Sequence, residues 1–130
     1  MAPSTPTVAP AAETVEDARD EPAAHLFGLW DGETPVGLLA LVDWREDPGP
    51  EDDLEAAYLW RLLIAPEHEG RGHGRAAVRA AMDWARARGL RWLVLTTVPG
   101  NARARRLYER AGLRETGRMV DGEVEFSAEL

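Results

Sequence analysis

The sequence predicts a single α/β domain of the α+β kind, with two antiparallel hairpins at its ends and a β-loop-α-β unit followed by a second helix between them. Three observations carry this prediction. Apolar runs are broken by turn signals at 31–35 (DGETP) and 121–122 (DG), which is how hairpins are punctuated. Between them an apolar run ending at Pro66 leads through a glycine-rich segment into a stretch of helical period. Finally, 130 residues give room for one core and little more.

Taken in order, residues 1–22 are rich in Pro, Ala, Thr and acids and bury too little apolar surface to offset their ordering entropy. We read 1–12 as a disordered tail and 13–22 as a short acidic helix or loose chain, with the domain at 23–130. AHLFGLW and VGLLALVDW, around the turn at 31–35, form the first hairpin, and REDPGPEDD at 45–53 is a polar loop. AAYLWRLLIAP at 56–66 is the next strand. The helix that follows places Val78, Ala81, Met82 and Ala85 on one face and stops at Gly89. RWLVLTTV at 91–98 has the uniform apolar or β-branched character of a strand covered on both faces. The second helix puts Ala104, Leu107, Tyr108 and Ala111 on one face and ends at Gly112. Two strands joined at Asp121-Gly122 finish the chain, and no internal repeat is present.

Composition excludes several chemistries. With no cysteine there is no disulfide, no thiolate nucleophile and no cysteine-ligated zinc, and no metal site is expected. No apolar run approaches the roughly 20 residues that span a bilayer, so no membrane association is expected. The start lacks a basic segment followed by an apolar core, and a cytoplasmic address is the default expectation. Charge is divided: residues 1–60 hold 14 acids and two arginines, whereas residues 61–130 hold 13 arginines and nine acids. An anionic ligand therefore belongs with the second half. Nucleic acid fits poorly, because the net charge is −8 and no basic-aromatic module is present.

The segment Gly70-Arg71-Gly72-His73-Gly74-Arg75 lies between a strand and a helix. Glycines at alternate positions let the backbone approach a ligand, and N–H groups at a helix N-terminus carry about half a positive charge, which favours a pyrophosphate. A P-loop needs a lysine that this chain lacks; for the dinucleotide fingerprint, counting from Gly70 lands on Arg75 and from Gly72 on Ala77, of which only Ala77 could pass, and the chain before it is not an N-terminal βαβ unit. The plainer reading is a tight turn, but three glycines in five residues exceed what a turn requires.

LLIAPEHEGRGHGRAAV resembles the cofactor motif of the GNAT superfamily of N-acyltransferases, a strand followed by [RQ]xxGx[GA]. The spacing Asn101-x-x-Ala104-x-x-Leu107-Tyr108-x-x-x-Gly112-Leu113 resembles its second motif, and the resemblance to the family covers residues 24–130. The resemblance implies a mixed, mostly antiparallel sheet with a central parallel β-α-β carrying the cofactor loop. It also implies acetyl-coenzyme A as cofactor and transfer of its acetyl group to a primary amine of a small molecule or peptide. The backbone of Leu62, Leu63 and Ile64 would pair with pantetheine amides. The loop formed by Gly70, Arg71, Gly72, His73, Gly74 and Arg75 would hold the pyrophosphate, and Asn101 would contact the cofactor while capping its helix. Tyr108 would donate a proton to the departing thiolate; by periodicity alone it is a core aromatic.

No general base stands out among Asp52, Asp53, Glu55, Glu123, Glu125, His25, His68 and His73. Two features depart from the family pattern. Glu69 occupies the first motif position, where Gln or Arg is usual. The family's opening strand and helices, which help form the acceptor cleft, are missing or reduced. A second subunit could complete that cleft, which keeps a homodimer in view. The alternatives to an enzyme are a non-catalytic acyl-coenzyme A-binding module and a truncated remnant.

Overall fold

A computed structural model describes residues 7–10, 24–46, 48–50 and 52–130. In chain order its strands and α-helices are β1 (Thr7–Pro10), β2 (Ala24–Asp31), β3 (Thr34–Asp43), β4 (Ala56–Ile64), α1 (His73–Ala87), β5 (Trp92–Thr97), α2 (Ala102–Arg110), β6 (Arg114–Val120) and β7 (Glu123–Glu129). The strands form one sheet in the order β1-β2-β3-β4-β5-β7-β6. Every pairing is antiparallel except β4 with β5, the pair joined through α1. A parallel neighbour requires a crossover, and the helix supplies it. This is the mixed sheet with a central parallel β-α-β that the sequence predicts.

Three boundaries differ from expectation. Thr7–Pro10, inside the stretch read as a tail, pairs with Phe27–Trp30 as an edge strand, so an opening strand is present. The rest of the predicted tail, 1–6 and 11–22, lies outside the described residues. β4 ends at Ile64, and Pro66 begins a short 3-10 turn to His68, since proline has no N–H to continue a ladder. β5 is buried only at alternate positions, Leu93, Leu95 and Thr97, so its two faces are not equally covered.

Helix α1 lays Ala77, Val78, Ala81, Met82 and Ala85 on Leu39, Leu41, Leu59, Leu93 and Leu95, forming the main core. Fully burying a leucine contributes on the order of 1.5–3 kcal/mol, so this face fixes where the helix begins and ends relative to the sheet. The far end of the domain is held by charge. Asp43, 1% exposed at the end of β3, accepts from Arg45 Nη2 at 2.6 Å and from Arg88 Nε at 3.0 Å. Arg88 follows α1 and lies over the Trp84 ring at 4.6 Å, so the carboxylate ties β3 to the helix C-terminus.

The hydrogen bonds from Arg45 and then Arg88 outweigh burial and hold the Asp43 carboxyl well below the usual carboxylate range. A depressed folded-state value means that stability is fully present above the unfolded value of 3.8 and is lost as pH falls through and below it. Asp43→Asn is therefore expected to lower stability by about 2 kcal/mol at pH 7, or Tm by roughly 5–10 °C, and to flatten the loss of Tm between about pH 4 and pH 2. Thermal melts across that range check both. Equal acid sensitivity in the two proteins would show that the carboxylate does not carry the effect.

Candidate active site

Parallel pairing between β4 and β5 covers only Ala56 with Trp92, Ala57 with Leu93 and Tyr58 with Val94. β4 then runs on to Ile64 beside β3, with no registered pair to β5. The two strands thus part beyond Tyr58, and a cavity of about 900 Å³ opens there. Leu62 and Ile64 come to it from β4, Tyr108 and Leu107 from α2, and Gly70, Gly72, His73, Gly74 and Arg75 from the loop and the start of α1.

The loop conformation explains two of its glycines. Gly70 and Gly72 have φ of 76° and 86°, in the left-handed region that side-chain-bearing residues rarely adopt, and a Cβ on either would meet nothing within 4 Å. Gly72 stands before α1 without a side-chain cap, and no acidic residue occupies the helix's first turn. The first N–H groups of the helix therefore have no side-chain acceptor, a built-in preference for an anion. Gly74 has a different reason: a Cβ there would come within 3.0 Å of Leu107 Cδ2, so its absence lets α1 and α2 approach closely.

Most of the residues singled out in the sequence meet at this cavity, but not all. Leu63 points its half-exposed side chain elsewhere, and Arg71 does not line the wall. Asn101 lines it and also caps α2, accepting from Ala104 N at 3.1 Å. Sequence reasoning missed Arg103, Arg106 and Arg110, which come to the wall from α2. Their spacing of three and four residues is the signal that would have placed them on one helical face.

Glu69, the residue that departs from the family motif, is held by Arg103 Nη1 at 2.7 Å. Its charge is thereby offset by an arginine of the same wall. Both side chains are largely exposed, so the pair contributes little stability.

Tyr108 is 8% exposed, and its ring lies 6.0 Å from that of Phe126. Burial first, and then the neighbouring Tyr58, push its phenol above 10.0, so it holds its proton at neutral pH. Tyr58 stacks on Trp44 at 5.2 Å and meets Thr96 Oγ1 at 3.2 Å. Its phenol is also pushed up, by burial and then by Glu123, Asp121 and Glu125, despite the opposing Thr96 hydrogen bond.

The candidate bases scatter. Asp52 and Asp53 accept backbone N–H groups of their own loop, from Gly49 at 2.6 Å and Glu55 at 2.8 Å. His25 pairs with Glu46 at 2.6 Å, far along the sheet in the Asp43 cluster. Glu125 accepts from Thr116 at 3.0 Å. His68 and His73 line the cavity.

The mixed sheet opened at the parallel pair of β4 and β5, with the start of α1 at the opening, is the arrangement that the resemblance in the sequence implies. The model of the acetyltransferase (GNAT) family matches residues 3–113, and the chain belongs to that family. It is similar to mycothiol acetyltransferase of Beutenbergia cavernae, 36% identical over 108 residues, covering 78% of this chain and 34% of that protein. This chain spans about a third of the length of the first curated relatives it matches. In fold it is similar to an acetyltransferase from Thermus thermophilus, with a TM-score of 0.77 at 21% identity over 100% of both chains. It is also similar to a GNAT family acetyltransferase from Elizabethkingia anophelis with acetyl-CoA bound, with a TM-score of 0.75 at 15% identity over 97% of this chain and 99% of the other. Among the described residues, no helix is long and apolar enough to cross a membrane.

Proposed function

We propose that this protein is an acyl-CoA-dependent N-acetyltransferase that moves an acetyl group from acetyl-coenzyme A to a primary amine of a small molecule or peptide. The observation that carries the reading is the convergence, at one cavity, of an uncapped helix N-terminus, the end of β4 that runs on past its pairing with β5, and the buried phenol of Tyr108. A relative named as a spermidine N(1)-acetyltransferase supports the amine acceptor.

The donor set fits such a cofactor. The helix N–H groups, the left-handed glycines and the arginines of α2 suit a diphosphate, while Leu62 and Ile64 offer an apolar strip to its pantetheine arm. Bound there, the cofactor supplies a thioester carbon open to attack by an amine. The chain's own part is to align that bond, exclude water and hold the Tyr108 proton within reach of the leaving group. Asp121, Glu123 and Glu125, whose field reaches Tyr58, favour the approach of a cationic amine.

Thermal melting tests the cofactor reading. Coenzyme A at about 100 times its Kd is expected to stabilise by about 2.7 kcal/mol, a rise in Tm of roughly 8 °C or more. No shift at millimolar ligand would remove the basis of the proposal. Screening amines, amino acids, aminoglycosides and peptide N-termini for release of free thiol from acetyl-coenzyme A then identifies the acceptor.

A further inference from the structure

The proposed function uses the backbone of His73 and gives its ring no task. His73 is 2% exposed and is among the residues that line the cavity, at the first residue of α1, with both ring nitrogens buried. Neither of its nitrogens has a hydrogen-bond partner among the described residues. An imidazole so placed is costly, because a buried donor and acceptor have given up water for nothing, and an apolar side chain would carry no such penalty.

The charged and titratable surroundings show what the ring is poised for. On β2, Asp31 Oδ2 lies 3.9 Å from His73 Nε2, within ion-pair range but beyond hydrogen-bond length. From the preceding turn the His68 ring stands edge-on at 6.4 Å, its Nδ1 also buried and without a partner. The same cavity is lined by Glu69, already held by Arg103, and by Arg75, Arg106 and Arg110. Among the described residues no group of three or more His, Cys, Asp or Glu could hold a metal ion.

We propose that the ring of His73 is a binding residue that works by its charge: it takes a proton from solvent when a diphosphate occupies the Gly70–Arg75 loop, and the imidazolium pairs with Asp31. This role rests on the cofactor reading of the loop. Asp31 gives the ring one anion at 3.9 Å, and a diphosphate in the loop would add a second. The positive end of α1 and the arginines of the wall oppose a cation there, and a diphosphate reverses the sign of that local field. The only bond formed is N–H on the ring. The added charge strengthens the grip on the anion, and Asp31 gives one imidazolium N–H an acceptor. Binding that takes up a proton tightens as pH falls.

Calorimetric titration of the full chain with coenzyme A at pH 7.5, in buffers of different ionisation enthalpy, counts the protons exchanged. The expected result is net uptake of up to about one proton per ligand, lost in His73→Leu and reduced in Asp31→Asn. The ligand's own phosphates contribute alike to each protein, so the difference reads the ring. Histidine labelled with nitrogen-15 gives an independent signal on the unmodified protein, in which coenzyme A should move the His73 ring nitrogens from the neutral to the imidazolium pattern. If His73→Leu does not fold, that spectrum decides alone. Coenzyme A binding with a ring that stays neutral, or with equal uptake in His73→Leu, overturns the role of the ring. Failure of the unmodified protein to bind coenzyme A overturns the cofactor reading instead, and the role of His73 with it.

Discussion

Tyr108→Phe is expected to slow turnover by about 100-fold or more while leaving coenzyme A affinity within about twofold. The variant keeps the ring, and with it the packing against Phe126 at 6.0 Å and the buried face of α2. It removes only the phenolic hydroxyl, so a loss confined to kcat marks a proton delivered during the reaction. Because burial and Tyr58 push the phenol above 10.0, it remains protonated through neutral pH, and its deprotonation lowers the rate only above about pH 10. Steady-state rates with the acceptor found by screening, beside calorimetric titration of coenzyme A, separate the two effects. Equal kcat in the two proteins would take the phenol out of the chemistry and leave Tyr108 as a core aromatic.

Gly72→Glu is expected to weaken coenzyme A binding by more than about 100-fold, through two effects acting together. The residue has a φ of 86°, where a side chain costs on the order of 1–2 kcal/mol, and the new carboxylate stands beside the N–H groups proposed to hold the diphosphate. Gly72→Ala carries the backbone strain without the charge and should lose roughly tenfold, which separates the two effects in the same titration. Unchanged affinity in Gly72→Glu would place the diphosphate elsewhere.

Much of this site is visible in the amino-acid order because it is built from local backbone chemistry. Gly70 and Gly72 are glycines where the chain turns left-handed, and Pro66 stops β4 for want of an N–H. Asn101 caps α2 three residues on, as its side chain predicts. Asp121 and Gly122 both take positive φ, so the final hairpin turns where the dipeptide says it should. The apolar faces of α1 and α2 likewise follow from period alone.

Other features have no local signature. Nothing in the run from Tyr58 to Ile64 marks where pairing with β5 ends, because that is settled by how both strands fit the helices and the sheet. Thr7–Pro10 is a strand only because β2 offers it an edge. Glu69 reads as a repulsive anion until Arg103, 34 residues away, is brought against it. Nothing in the sequence shows that Gly74, besides lining the cavity, also leaves room for Leu107.

By itself the sequence determined the order of elements from β2 onward, the turn geometry, the helix caps and the placing of a glycine-rich loop before α1. These depend on backbone conformations and hydrogen bonds closed within a few residues. Only the tertiary structure decided that β4 and β5 part beside that loop, that Tyr108 and the arginines of α2 face it, and that the His73 ring is buried within reach of Asp31. Those juxtapositions arise from burying apolar faces against one another, which draws together residues whose separation along the chain carries no trace of the meeting.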